Sequence, residues 1–374
     1  MARAAHASLG GRVTWSLVSG PRGRSELPQG VEWIAGAHPL PDAHSVRAGA
    51  RALEIASRAR EAGQPLLVLL SGGGSSMLCA PVPGVSLDDK REVFGALMRA
   101  GADITQLNCV RRHLSLIKGG RLAAAAGATV TVAISDVHEP PDDPATIASG
   151  PTVVDDSRCA DALRVLDRFG VRAPRAVRAH LEAGASAEVT TGGSPRPAGP
   201  ATYRVIANRW TAMRGAQAAA ERLGYSVRLV ERATRGDARE AGRMFAREAL
   251  TGAGERGPVC VIASGETTVT VAGAGQGGRN QEFALGAAAV LAESNRPAVL
   301  ASAGTDGVDG PTDAAGGIAT SSTWARSRAA GLDLGDVLAR NDAYAALARL
   351  GDLVIWGPTL TNVGDVHLLL TMHQ

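Results

Sequence analysis

Pro65-Leu-Leu-Val-Leu-Leu70, followed at once by Ser71-Gly-Gly-Gly-Ser-Ser76, is the stretch from which the fold is read. A short unbroken apolar run closed by turn residues marks a strand covered on both faces, and such strands belong to parallel sheets packed between helices. Working outward, Ser45–Ala62 before it predicts a helix ending at Gly63, and Leu87–Ala100 after it predicts another. Asp103–Ile117 and Gly119–Ala126 read as helix, break, helix. Thr129–Ser135 is a second buried strand ending in Asp136, and Arg158–Phe169 and Arg175–Glu182 are helical. Met1–Gly10 reads as the second half of a helix closed by a glycine cap, with a strand at Val13–Ser19. Gly184–Pro200, rich in Gly, Ser, Thr and Pro, is expected to be the main linker.

Beyond it the pattern restarts. Strands are expected at Tyr203–Ile206, Ser226–Leu229, Val259–Ala263, Ala298–Ala303, Leu353–Ile355 and His367–Met372, with a half-exposed one at Thr267–Ala272. Helices are expected at Trp210–Leu223, Gly236–Leu250, Gln281–Ala292 and Val337–Leu350. Strands alternating with helices predict an α/β fold with parallel sheets and helices on both faces. The 374 residues divide into two α/β domains, 1–195 and 201–374.

The formal charge of +3 and the lack of a long basic run argue against a nucleic-acid partner. No apolar stretch is long enough to span a membrane, and Arg3, His6 and Arg12 interrupt the first residues, so no signal peptide is read there. Cys79, Cys109, Cys159 and Cys260 form no C-x-x-C pair and read as buried thiols of a reducing, cytoplasmic compartment. Aromatics are only 3%, so the cores are built from Ala, Val, Leu and Ile. Of 39 basic residues only Lys90 and Lys118 are lysines, which singles out Lys118 in a polar helical segment beside Arg111, Arg112 and Arg121.

The glycines and hydroxyls of 71–76 at a strand's carboxyl end suit close approach of backbone N–H groups to an anion. Gly273-Ala-Gly-Gln-Gly-Gly278 contains a literal G-x-G-x-x-G, but a dinucleotide site needs an acid ~20 positions on at the next strand end, and Asp306 lies beyond that. Arg279 at the mouth of this turn is placed to steady charge on a transferring phosphoryl group. Asp136, with Glu139, Asp142 and Asp143, forms an acidic loop after a strand, and Asp306, Asp309 and Asp313 form another. Such carboxylates suit Mg²⁺ held together with phosphates. Neither a P-loop nor a protein-kinase signature set is present.

LLSGGGSS (69–76), LNCVRRHLSLIKGGRLA (107–123), ISDV (134–137), IASGPT (147–152), SGETTVTVAGAGQGGRNQEFAL (264–285), AGTDGVDGPTDAAGG (303–317) and GPTLTNVGD (357–365) together resemble the glycerate 2-kinase family with a C-terminal MOFRL domain, here at about 258–371. The resemblance implies a Rossmann-like three-layer N-terminal domain, a smaller α/β domain, and an active site in the cleft between them. It implies ATP, Mg²⁺ and D-glycerate, no nucleic-acid or membrane partner, and leaves room for a homodimer. Arg279 and Lys118 are then the expected catalytic residues, and Asp136 and Asp306 the expected metal contacts. Nucleotide contacts are expected from Ser71, Gly72, Gly73, Gly74, Ser75, Ser76, Glu266, Thr267, Gly275, Gly277, Gly278, Asn280, Thr361 and Asn362. Some members of the family carry the label hydroxypyruvate reductase, which makes NAD(P)-dependent reduction the alternative activity, beside an inactive truncated member. Three departures stand out. A lysine that the family carries in an N-terminal segment would precede residue 1, so the chain is expected to lack it and to be weak alone. His138-Glu-Pro-Pro141 replaces a shorter turn, and Gly364 replaces a bulkier residue.

Overall fold

The computed structural model describes residues 1–21, 27–191, 196–251, 257–294 and 296–373. The chain forms two compact units, Met1–Ala133 with Asp142–Ile206, and Ile134–Pro141 with Ala207–Gln374. Asp136 and Glu139 of the acidic loop therefore group with the C-terminal residues, and Asp142 and Asp143 with the first unit.

In the first unit, α1 (Ala2–Leu9), β1 (Leu17–Gly20), β2 (Glu32–Ala35), α2 (Ala43–Glu61), β3 (Leu66–Leu70), α3 (Gly74–Met77), α4 (Leu87–Arg99), α5 (Ile104–His113), α6 (Arg121–Ala126), β4 (Thr129–Ile134), α7 (Cys159–Arg168), α8 (Arg175–Thr191) and β5 (Ala201–Ala207) follow in order. β1 and β2 pair in parallel, and β3-β4-β5 is a three-stranded sheet in which Leu66–Leu70 lies parallel to Thr129–Ala133. The two buried strands are neighbours, but not covered on both faces as expected. Val68, Leu70 and Ala133 are buried, whereas Leu67 and Val130 are 37% and 40% exposed. Sequence periodicity alone does not report whether a second layer covers an apolar face. Asp42 and Ser45 form a capping box that starts α2, satisfying helix N–H groups that have no intrahelical acceptor. Val93, Phe94, Leu97, Val110, Leu114, Leu166 and Leu181 make the core under α4, α5, α7 and α8. Gly184–Thr191 continues α8 rather than opening a linker, because Ala, Ser and Glu there are compatible with a helix; part of the remaining expected linker, 192–195, lies outside the described residues.

The second unit contains α9 (Arg209–Arg222), β6 (Ser226–Leu229), α10 (Ala238–Thr251), β7 (Gly257–Gly265), α11 (Arg279–Glu293), β8 (Ala298–Gly304), β9 (Gly316–Thr320), α12 (Thr323–Ala329), α13 (Leu334–Ala339), α14 (Ala343–Leu350), β10 (Leu353–Val354) and β11 (Asp365–His373). Its sheet runs β10-β9-β8-β11-β7-β6. Only β6–β7 is parallel; β11 lies antiparallel between β7 and β8, and β8–β9 and β9–β10 are antiparallel. This corrects the expectation of parallel sheets throughout. No helix intervenes between β8 and β9, and strands joined without a crossover pair antiparallel. Thr267–Ala272 is not a strand: its only pairing is an isolated bridge from Thr268 to Asp237, and Val271 is 74% exposed. Val337–Leu350 is two helices, broken at Asn341, whose φ is 55°.

α11 is the buried axis of this unit and packs on α10 at two glycines, Gly242 and Gly286, where a side chain would collide with the backbone of Phe283 and Arg239. Small residues here let helices approach closely in a chain poor in aromatics. No helix among the described residues is long and apolar enough to cross a membrane. All four cysteines are free, and Cys79, Cys159 and Cys260 are buried.

Fully buried His367 on β11 stacks on Phe283 at 4.0 Å and lies 2.8 Å from Ser302 Oγ. Burial pushes its pKa down to about 4; Asp365 opposes the shift, and Arg279 and His138 reinforce it. An unfolded histidine titrates near ~6.5, so the unfolded chain takes up this proton first as pH falls. Stability from the neutral ring is present above pH ~6.5 and is lost as pH drops towards 4, by up to about 3 kcal/mol. Urea unfolding midpoints between pH 7 and 4 should fall less steeply in His367→Gln; equal slopes would refute the assignment.

Candidate functional site

In the first unit the 71–76 turn leaves β3, with Gly73 at φ 77° initiating the single turn α3. Ser75 Oγ lies 2.7 Å from Ser149 Oγ, which donates to Asn108 Oδ1 at 2.8 Å. Ser76 Oγ donates to the Pro39 carbonyl at 2.5 Å. Asp142, Ala148 and Ser149 all have positive φ without being glycine. Strained backbone of this kind persists where surrounding contacts over-determine it, and such sites cluster at functional centres. Lys118 is buried and donates from Nζ to the Ser75 carbonyl at 2.6 Å. Burial pushes its pKa down to about 7, and the charges of Lys90 and Arg111 add to the shift while Cys79 opposes it. Of the neighbouring arginines, Arg112 pairs with Asp155 and Arg121 donates to the Arg112 and Lys118 carbonyls.

In the second unit, Asp365 opens β11 opposite Gly265 and Gly304, the last residues of β7 and β8. Arg279, the first residue of α11, grips this fully buried carboxylate with both edges, Nε to Oδ2 at 2.7 Å and Nη2 to Oδ1 at 3.0 Å, while Nη1 reaches Glu266 at 2.8 Å. Burial works against the guanidinium charge, but Asp365, Glu266 and Asp309 outweigh it and keep Arg279 protonated. Buried Asp309 caps α11 by accepting from the Asn280 and Gln281 amides at 3.0 and 2.9 Å. Burial pushes its pKa up to about 6 against those bonds, with Asp365 adding to the rise. Gly278 is required beside it, since a side chain would collide with the Asp309 carboxyl group.

The second glycine turn is occupied by the protein itself. Asn341 Oδ1 accepts from the Ala272 and Gly273 amides, the Arg340 carbonyl from Gly275, and Asp342 from Gln276. A Cβ on Gly275 would lie 2.6 Å from the Arg340 carbonyl oxygen. Any anion contact in this turn therefore falls to its Gly277–Gly278 end. Asn280 is buried with its amide engaged by Asp309 and Ser302, and Thr267 is buried at 1% exposure with no hydrogen-bond partner for its Oγ1 among the described residues.

Asp136, Glu266 and Asp365 are close enough for their charges to interact, and Asn362 donates to Asp136 Oδ2 at 3.4 Å. Asp306 Oδ1 accepts from the Val308 amide at 3.1 Å. Thr361 is exposed in the turn before β11. His138 packs directly on Gly364, and neither ring nitrogen has a hydrogen-bond partner among the described residues. Burial, with the charge of Arg209, pushes its pKa down to about 4. The sequence reading missed Asp365, Asp309 and Asn341 as organisers of this centre. Asp365 lies in a polar turn, Asp309 reads as one of a group of carboxylates suited to Mg²⁺, and Asn341 falls inside the expected helix Val337–Leu350; only the fold shows what each carboxylate or amide caps.

The model of a domain of unknown function (DUF4147) matches residues 1–182, and that of the MOFRL family matches residues 259–365. The chain is 38% identical over 374 residues to the D-glycerate 2-kinase of Thermotoga maritima, covering 98% of this chain and 86% of that protein. It is 41% identical over 355 residues to a putative hydroxypyruvate reductase of Agrobacterium vitis, covering 92% and 78%. A crystal structure of glycerate kinase from Thermotoga maritima superposes with a TM-score of 0.88 over 100% of this chain and 88% of that one, at 38% identity. With its two family segments in order and its resemblance running the length of the chain, the protein belongs to the glycerate 2-kinase family with a C-terminal MOFRL domain.

Proposed function

We propose that the protein is a kinase that transfers the γ-phosphoryl group of ATP to the 2-hydroxyl of D-glycerate, giving 2-phosphoglycerate and ADP. The observation that favours this over nicotinamide-dependent reduction is the state of the G-x-G-x-x-G turn. Its amides at 273, 275 and 276 already serve Asn341, Arg340 and Asp342, and Gly273 and Gly275 pack on that turn's backbone, which leaves a pyrophosphate no close approach there. Phosphoryl transfer instead needs positioned charge, and Arg279 supplies a guanidinium fixed in orientation by a buried carboxylate. In this reading Arg279 stabilises the transferring group, the Ser71–Ser76 turn with the Gly277–Gly278 end contacts phosphates, and Lys118 supports an anionic group of substrate or nucleotide. Glu266, Thr361 and Asn362 supply further polar contacts.

The carboxylates fit a hard cation. Asp136 and Asp306 are part-exposed oxygen donors, whereas Asp309 and Asp365 are buried. Asp136 and Asp306 would hold Mg²⁺, which when bound neutralises phosphate charge.

Incubation with ATP, Mg²⁺ and D-glycerate is expected to release ADP and 2-phosphoglycerate, read by ³¹P NMR. A parallel incubation with hydroxypyruvate and NADH or NADPH is expected to leave the nicotinamide reduced. Nicotinamide oxidation without ADP release would overturn the kinase assignment.

A further inference from the structure

The first unit holds the chain's two lysines and one unpaired arginine around a single recess. Ser75, Ser76, Cys79, Lys90, Arg111 and Lys118 line it. Lys90 and Lys118 are buried, at 1% and 3% exposure, and Arg111 is half-buried. Their bonds go to neutral acceptors. Lys90 Nζ donates to the Leu114 carbonyl at 2.9 Å, Lys118 Nζ to those of Ser75 and Leu78 at 2.6 and 3.5 Å, and Arg111 to Asn108 at 3.5 Å. Lys90 and Arg111 also lie over the Phe94 ring, at 5.8 and 5.4 Å. Among the described residues, none of the three pairs with a carboxylate, whereas adjacent Arg112 does. Withdrawn from water without a counter-charge, the two amines are driven towards their neutral form, and an anion completing the site would favour their charged form again. The recess also meets the 71–76 turn through the Lys118–Ser75 bond, so an anion held there would sit against that backbone.

We propose that Lys90, Arg111 and Lys118 form a subsite for a compact oxyanion, a carboxylate or a phosphate group, against the Ser75–Ser76 turn; the recess has about 10 Å³ of free volume, room for one water, so the anion would enter by drawing the three side chains off their present acceptors. Which oxyanion serves in turnover rests on the kinase reading; the subsite itself rests on the recess and its uncompensated charges. The depressed Lys118 pKa agrees with it, because like charges from Lys90 and Arg111 face the amine and Cys79 is the other titratable group beside it. An oxyanion would relieve that repulsion and raise the Lys118 pKa from about 7.

The lysine content makes the test direct. Selective ¹³C-lysine labelling of the full chain yields two ε-methylene signals, assigned with Lys90→Arg. The labelled protein is titrated at pH 7 with inorganic phosphate, D-glycerate, metal-free ATP and, as a neutral control, glycerol. Saturable shifts of both signals with an anion and none with glycerol are expected. A response to D-glycerate alone identifies the carboxylate, and one to phosphate or ATP alone the phosphate. Arg111→Gln, checked for folding by its melting curve, should weaken the response about tenfold, as loss of one charge-assisted hydrogen bond does. Signals that stay fixed up to anion concentrations on the order of 10 mM, or a response unchanged in Arg111→Gln, would make the lysines mere tethers of carbonyl groups. Oxyanion binding without ADP release would overturn the kinase reading and leave the subsite standing; ADP release with silent lysines would do the reverse.

Discussion

Arg279→Ala is expected to lower kcat for glycerate-dependent ADP release by about 10²-fold or more, the effect of removing a donor that meets charge in the transition state. The same change strips Asp365 of its bidentate partner, and a fully buried carboxylate left unpaired costs about 3–5 kcal/mol of stability. The two effects are separable. Arg279→Ala combined with Asp365→Asn removes the stranded charge, so urea unfolding should recover much of the loss while kcat stays low. Arg279→Lys keeps the charge but not the planar fork that matches Asp365, and should fall between wild type and Arg279→Ala in kcat. If the double variant recovers kcat together with stability, Arg279 is only the partner of Asp365 and not a group that meets the phosphoryl transfer.

That pairing shows where the sequence was legible and where it was not. β3, β4, β6, β8 and β11 and most helices were readable because apolar periodicity and glycine stops report local structure. Arg279 was readable because it stands between a glycine turn and a helix. Asp365 was not, since its meaning comes from β11 inserting between β7 and β8, a long-range pairing that no local pattern encodes. β9 was missed because Gly316 and Gly317 look like a turn; Gly316 is there because a side chain would collide with the Ser302 carbonyl of the neighbouring strand. α13 and α14 read as one helix because their apolar spacing continues across the break. The break is fixed instead by Asn341, which bonds the Ala272 and Gly273 amides and Glu282. The same residue explains why a literal dinucleotide fingerprint is misleading here: Gly273 and Gly275 serve close packing on the 340–342 turn rather than a ligand.

Gly364→Ala is expected to cost about 2–4 kcal/mol and to lower activity, through two additive causes. Gly364 has φ 92°, a conformation that other residues adopt only under strain. A Cβ there would also lie 2.6 Å from His138 Nε2 and 2.7 Å from Cε1. The peptide has little freedom to turn away. Its N–H donates to Asn362 Oδ1 at 2.9 Å, and its carbonyl accepts from Thr305 N and Oγ1 at 3.1 and 2.6 Å. The next residue is Asp365, so displacement would be felt at Arg279. The imidazole of His138 thus occupies the space that a side chain at 364 would need. Adding His138→Ala to Gly364→Ala should therefore restore the part due to collision and leave the backbone strain, about 1–2 kcal/mol. His138→Ala alone should be tolerated, since neither ring nitrogen loses a hydrogen-bond partner among the described residues. Urea unfolding of the four proteins, with kcat and KM for each, reads both parts; strictly additive losses would show that the two positions are independent and that Gly364 is dictated by φ alone.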